Sequence, residues 1–437
     1  MQFDPNESEV IRSIMYSDVS LIDPEEYIVA TYLVKATKYP PMTVAEEAAI
    51  ENSTGTWTLV KYETLDVRER YGAKILQVFK ACDGTYVLQL GIKAENYDPE
   101  TGGISNLLAD IAGNAYDLMY IDRLRLMDLT FPKWWEDAFP GPKYGVEGLR
   151  KLTRTEGTKR PLVGTIIKPN VGLDARTIGK MVYEVGLGGL DFVKDDEALV
   201  NPKYCRLEDR VSAVVEAIDK VKEETGKEIL YAFNITMDNH SKMLDAADLV
   251  LDNGGNHLMV VLPYVGYGGL RLLAESDIKA PIHVHRCGHG AYTMVEDHGF
   301  SPVLVSKLAR MCGADEIHCG SVEGKFHYDP IDVRRNVAVL RGSWGKFKAT
   351  MPVSSAGNHP GNVPANVRLM GVDILILAGG GVFGHPLGFT AGAKAMLQAA
   401  EAISKGISLE EYAKDHEELK AAVEKWGIKE DYSRLPR

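Results

Sequence analysis

Only five cysteines occur in the 437 residues, Cys82, Cys205, Cys287, Cys312 and Cys319, and none stands in a CxxC pair. An odd, scattered set argues against a disulfide framework and a structural zinc site, and points to a reducing, cytoplasmic setting. No HExxH signature is present, which removes a common zinc-hydrolase arrangement. No apolar run approaches the length that crosses a bilayer, and the acidic start Met1-Gln2-Phe3-Asp4-Pro5-Asn6-Glu7 is not a secretory leader. Positive charge is short as well. The balance of 49 Lys+Arg against 61 Asp+Glu gives −12, which argues against nucleic-acid or anionic-membrane partners. There is no internal repeat and no low-complexity stretch. The remaining composition is that of an ordinary globular protein, in a chain long enough for a barrel and a smaller domain.

Residues 1–140 mix strand-like runs (27–34, 56–62, 73–79 and 85–92) with helical segments, the pattern of a small α+β domain. The punctuated stretch Phe139-Pro140-Gly141-Pro142-Lys143-Tyr144-Gly145 separates them from residues 141–437. There, apolar runs at 161–169, 190–196, 228–236, 257–263, 281–286, 314–320, 347–355 and 373–381 alternate with amphipathic segments such as 210–224 and 388–403. Eight βα units in succession predict an α/β fold of the TIM type, a parallel (β/α)8 barrel rather than an open sheet. The tail 409–426 reads as polar amphipathic helices packed outside.

The most informative segment is Gly188-Gly189-Leu190-Asp191-Phe192-Val193-Lys194-Asp195-Asp196-Glu197. Lys194 and Asp196 lie two apart, so on a strand they share a side, with Glu197 following. Carboxylate oxygens suit a hard cation such as Mg2+. An ammonium cannot ligate a cation, but a lysine amine that adds CO2 becomes a carbamate with oxygen donors. A bare KDDE is more often a solvated charge cluster. The other strand ends reverse that preference: Lys168 closes the first barrel run, His285-Arg286 the fifth, His318 nears the end of the sixth, Ser355 closes the seventh and Gly379-Gly380-Gly381 the eighth. Barrel active sites lie at the carboxyl ends of the strands, so these groups converge on one mouth.

Each group has a plain alternative. The glycine triplet is either a strand-to-helix turn or a place where backbone N–H groups approach an anion, and its position after the last strand favours phosphate. Arg286 suits bidentate grip of phosphate or carboxylate. His283, next but one to His285, reads as a satisfied core histidine. Lys168 is a base with a pKa lowered near a metal, or a Schiff-base lysine. The metal-ligand cluster on the next strand argues for metal-assisted enolisation. Lys325, in the glycine-bounded loop Gly320-Ser321-Val322-Glu323-Gly324-Lys325, either closes over substrate or is simply exposed.

Taken together, GTIIKP, GGLDFVKDDE, His285-Arg286, IHCGSVEGK, MPVSSAG and GGGVFGHP resemble the large subunit of ribulose-1,5-bisphosphate carboxylase/oxygenase (RuBisCO) and its superfamily. Ser53-Thr54-Gly55-Thr56-Trp57, Gly113-Asn114 and Gly141-Pro142 extend the resemblance over nearly the whole chain. It implies a small α+β domain before the barrel, and a two-fold dimer in which one subunit's small domain completes the other's barrel mouth. It implies Mg2+ held by a CO2-derived carbamate on Lys194 together with Asp196 and Glu197. Lys168 is expected to assist enolisation and protonation. Thr56, Trp57, Gly379 and Gly380 are expected on one substrate phosphate, and Arg286 and His318 on the other. His285 is expected near the reacting carbons, with Ser355 and Gly357 lining the site. Lys325 becomes the mobile-loop lysine, and Glu51 and Asn114 come from the neighbouring subunit.

Departures from the family pattern set the functional expectation. Asn170 stands where carboxylases have lysine, and a neutral amide there weakens stabilisation of an enediolate. Glu323 replaces an apolar residue, Phe326-His327-Tyr328 follow the loop lysine, and Cys287-Gly288 and Gly290 reshape the wall around His289. The sequence therefore leads to a Mg2+-dependent RuBisCO-like enzyme that enolises a phosphorylated sugar or sugar acid, ending in isomerisation, an enol or C–C cleavage. The alternative is ribulose-1,5-bisphosphate carboxylase itself, of the archaeal kind without a small subunit. A non-catalytic scaffold is the remote third reading.

Overall fold

A computed structural model describes residues 13–56, 60–321, 326 and 328–429. Two compact units are present. The first runs to Phe139 and also takes in Gly288–Leu308; the second comprises Pro140–Cys287 and the chain from Ala309 onward. The first strands are β1 (Tyr27–Lys35), β2 (Lys74–Cys82), β3 (Thr85–Lys93) and β4 (Arg123–Thr130). Next come β5 (Leu162–Ile166), β6 (Phe192–Lys194), β7 (Leu230–Asn234), β8 (His257–Val261) and β9 (Ile282–His285). The last are β10 (Gly299–Phe300), β11 (Glu316–His318), β12 (Met351–Ser354) and β13 (Leu375–Leu377).

In the first unit a five-stranded sheet runs in the order β10-β4-β1-β3-β2. Along β1 every second side chain (Ile28, Ala30, Tyr32, Val34) is buried, as the two-residue period of a strand requires. The helix Pro41–Glu51 buries Val44, Ala45, Ala48 and Ala49, the first two beside Val34 and Leu88. β10 pairs parallel with β4, which is how residues 288–308 join this unit rather than the barrel.

Of the strand expected at 56–62, 57–59 lie outside the described residues; among the rest, Thr56 and Val60 are irregular and Lys61-Tyr62 form a turn. Among its described residues none pairs with a neighbouring strand, and Tyr62 is 81% exposed. The partner beside β1 is instead β4, whose Leu124, Leu126 and Leu129 are buried between charged neighbours.

The second unit is a closed parallel barrel, in the order β11-β12-β13-β5-β6-β7-β8-β9. All eight expected runs contain one of its strands. Both faces of β7 and β8 are buried, which explains their continuous apolar reading. The helices Leu207–Thr225 and Phe389–Lys405 match the expected crossovers, and each ends on a left-handed glycine, Gly226 or Gly406. Leu162, Phe192, Leu230, Met351 and Leu375, at or near strand starts, pack with Val146 and Leu149 of the helix Gly145–Leu152. That helix therefore closes the amino-terminal end and leaves the carboxyl end for chemistry. Among the described residues no helix is long and apolar enough to cross a membrane.

Buried ion pairs tie the strands to their surroundings. Before β6, Asp191 accepts from both Arg160 nitrogens (2.6 and 2.8 Å) and from Lys227 (2.5 Å). After β6, Asp195 meets Arg210 Nε at 3.1 Å, with both side chains fully buried. Removing one member of a buried pair strands the other charge. Asp195→Ala is accordingly expected to lower unfolding stability by about 3–5 kcal/mol, read from urea titration.

Candidate active site

Lys194 ends β6 and is completely buried. Its amine donates to Asp195 O at 2.7 Å and lies 3.9 Å from Glu197 Oε2. Burial pulls its pKa below the usual lysine value, although the charges of Glu197 and Asp196 pull the other way. Asp196 is 2% exposed; one of its oxygens pairs with Lys168 Nζ, and the other accepts the Ala198 N–H at 3.1 Å. Asn234 holds this turn from the end of β7, donating to Asp196 O (3.2 Å) and Glu197 O (3.0 Å).

Asp195 faces elsewhere. It takes Arg210, the Tyr231 hydroxyl (2.5 Å) and the Asn234 N–H (2.9 Å). Burial raises its pKa, and these partners only offset that in part. Of the three consecutive carboxylates, two therefore face the lysines and one anchors the helix behind.

Across the mouth, His285 Nε2 sits 3.6 Å from Glu197 Oε2. Its Nδ1 accepts the Cys287 N–H at 3.1 Å, so in the neutral ring the proton is on Nε2, toward the carboxylate. Glu197, His285 and Cys287 place oxygen, nitrogen and sulfur donors within 4.8 Å of one another. That set suits a soft metal poorly, because the facing imidazole nitrogen carries hydrogen and burial pushes the Cys287 thiol up to about 11. The His285 and His318 rings lie 4.2 Å apart. His318 meets Ser355 Oγ at 2.6 Å through Nδ1 and His283 Nε2 at 2.8 Å through Nε2. Both of its nitrogens are thus engaged inside the protein, and burial holds its pKa well below that of a free histidine. Arg286 is 3% exposed, with its guanidinium carbon 5.8 Å from the Tyr328 ring centre.

The glycines after β13 differ among themselves. A Cβ on Gly380 would meet nothing within 4 Å, and one on Gly379 would make ordinary contacts with the Lys168 side chain at 3.5 Å and Ile166 O at 3.9 Å. A Cβ on Gly381 would lie 2.4 Å from Asn358 O. Gly381 is therefore required by packing, whereas Gly379 and Gly380 leave room at the mouth. Between Ser355 and Gly357, Ala356 adopts φ +79°, a left-handed conformation that costs a residue with a Cβ energy and is enriched at functional sites.

Lys168, Lys194, Asp196, Glu197, His285, His318, Ser355 and Gly379 thus form one continuous set in the barrel, with Arg286, Gly357, Gly380 and the exposed Asn170 on the same strand-end segments. Glu51 closes the helix Pro41–Glu51, and Asn114 opens a short 3-10 turn, Asn114–Asp117. Thr56 lines a cleft of about 780 Å3 with Tyr97 and Asp110; these residues all belong to the first unit. Trp57 and Lys325, with Glu323, lie outside the described residues. Sequence reasoning missed Asn234 and Glu316. A polar residue closing or opening an otherwise apolar strand was the available signal in both cases.

Two family models match the chain: ribulose bisphosphate carboxylase large chain, catalytic domain, over residues 146–426, and the N-terminal domain of the same chain over 15–135. A protein of Methanocaldococcus jannaschii named ribulose bisphosphate carboxylase is 38% identical over 399 residues, covering 88% of this chain and 93% of the relative. The octameric RuBisCO of Pyrococcus horikoshii superposes with TM-score 0.89 at 31% identity, covering 98% of both chains. The dimeric archaeal RuBisCO of Hyperthermus butylicus gives 0.87 at 34%, covering 96% of this chain and all of the other. With strand-end geometry and overall similarity in agreement, the chain belongs to the ribulose bisphosphate carboxylase large-chain family.

Proposed function

We propose that this protein is a ribulose-1,5-bisphosphate carboxylase that acts as a homodimer or an oligomer of dimers without a small subunit. The observation that carries the reading is a fully buried Lys194 amine 3.9 Å from Glu197 and next but one to Asp196, at the strand ends that also bear Arg286 and the uncrowded Gly379-Gly380 backbone. The sequence alone put a non-carboxylating, enolising enzyme first. Relatives that carry the carboxylase name over nearly the whole chain reverse that order.

The residues fit a hard cation. The depressed Lys194 pKa favours the neutral amine, the form that adds CO2 and releases a proton to become a carbamate. That carbamate, Asp196 and Glu197 would hold Mg2+ through oxygen. When bound, the ion polarises the substrate ketone and stabilises charge that develops on its oxygen. Lys168, poised on Asp196, exchanges a proton with the substrate carbons or oxygens. His285 presents an Nε2–H donor at the same place. Arg286 grips one phosphate bidentately, and the N–H groups around Gly379 and Gly380 take the other, with Thr56 and Trp57. Glu51 and Asn114 enter from the neighbouring subunit, and Lys325 covers the new carboxylate. His318, bonded to His283 and to Ser355 Oγ, orients the Ser355 hydroxyl at the mouth.

A second reading, enolisation without CO2 fixation, is favoured by one feature. Asn170, two residues beyond Lys168, offers an exposed neutral amide where a cation would stabilise an enediolate.

Protein preincubated with bicarbonate and Mg2+, then given ribulose-1,5-bisphosphate and ¹⁴CO2, is expected to form acid-stable labelled 3-phosphoglycerate, and Lys194→Ala to abolish it. Binding of Mg2+ and the bisphosphate without label in product would shift the assignment to the enolising reading. A pair of glycine variants probes the anion site. Gly380→Ala is expected to raise the KM for the bisphosphate about tenfold, equivalent to ~1.4 kcal/mol, at unchanged stability. Gly381→Ala is expected to cost about 1–3 kcal/mol of stability through overpacking, measured by thermal or urea unfolding.

A further inference from the structure

A line of buried polar side chains runs from the barrel interior to its mouth. Glu316 opens β11 and stands directly opposite His283 of β9 in the barrel register. Glu316 is 1% exposed; His257 and His283 are wholly buried. Glu316 Oε1 lies 2.5 Å from His283 Nδ1 and 3.2 Å from His257 Nε2. His283 Nε2 lies 2.8 Å from His318 Nε2, and His318 Nδ1 lies 2.6 Å from Ser355 Oγ. The Phe192 ring stacks on His283, with centres 5.4 Å apart.

We infer that Glu316 is a positioning residue that sets the direction of every hydrogen bond from His283 to Ser355. An ionised carboxylate only accepts. His283 must therefore donate from Nδ1, which leaves its Nε2 a bare acceptor. His318 then carries its proton on Nε2 and donates to His283. Its Nδ1 becomes an acceptor, and the Ser355 hydroxyl must give its hydrogen inward. The Ser355 oxygen thus faces the mouth with lone pairs only, which suits a ligand hydroxyl and disfavours a phosphate oxygen. A protonated Glu316 would allow the opposite direction throughout. Burial raises the Glu316 pKa, but the two histidines outweigh it and hold the carboxyl down to about 2, while burial lowers His283 to about 4. The chain at neutral pH is therefore a carboxylate followed by neutral rings.

This inference refines the recognition of substrate in the proposed carboxylase and rests on that reading for its consequence, though its test does not. Protein labelled with ¹⁵N in the histidine rings reports by long-range ¹H–¹⁵N correlation which nitrogen carries hydrogen, with His318 assigned by its loss in His318→Asn. Wild-type protein without substrate is expected to show neutral His318 protonated on Nε2. Protonation on Nδ1, or a charged ring, at pH 7 would overturn the inference even if the enzyme fixes CO2. Glu316→Gln retains an acceptor in its amide oxygen and is expected to keep the Nε2–H form. Glu316→Met fills similar space without an acceptor and is expected to give mixed tautomers and a KM raised about tenfold at nearly constant kcat. A Met variant indistinguishable from wild type in tautomer and KM would show that Glu316 merely fills space.

Discussion

The burial of one lysine amine is the constraint on which the site depends. A charged ammonium transferred into a barrel interior costs several kcal/mol unless it is well paired. Lys194 has a backbone carbonyl at 2.7 Å and a carboxylate only at 3.9 Å. Its environment is thus better suited to a neutral amine, or to an adduct with its own oxygens, than to an ordinary ion pair. A second lysine, Lys168, is held on Asp196 from the adjacent strand. Two lysines and two carboxylates share the mouth, so a change of charge on Lys194 redistributes the electrostatics of the whole group.

The remainder of the barrel supports this arrangement by dividing polar groups between two tasks. Asp191, Asp195 and Arg310 are structural: the first two are bound by buried cations, and Arg310 donates to the carbonyls of Val339, Gly342, Phe347 and Lys348. The groups at the strand ends take their partners from neighbouring strands across the mouth. Asn234 fixes the backbone of 196–197 while leaving both carboxylates their own partners. Such separation holds the strand-end groups in a rigid frame, and fixed polar groups are the condition for preorganised electrostatic catalysis.

Much of this was legible in the sequence for simple reasons. Parallel strands buried on both faces read as continuous apolar runs, and the polar residue that ends each run marks the mouth. Alternation also separated Asp196 from Asp195, since neighbours along an extended chain face opposite sides. The strand β4 escaped notice because Arg123, Arg125 and Asp128 interrupt its leucines, and at Val60–Tyr62 β propensity misled because it does not by itself supply a pairing partner. β10 is two residues long and belongs to the first sheet. Its departure leaves β9 beside β11 and brings Glu316 opposite His283, 33 positions away in sequence. Contacts of that kind follow from barrel closure, not from local pattern, so the role of His318 could not be read from its neighbours alone.

The most direct test of the account is whether Lys194 carries CO2. Protein equilibrated with ¹³CO2 and Mg2+ should show one carbamate carbon per chain by ¹³C NMR, absent when Lys194 is replaced by methionine. A folded, Mg2+-binding protein with no such carbon, or with the same signal after the replacement, would contradict the assignment of this lysine as the centre of the site.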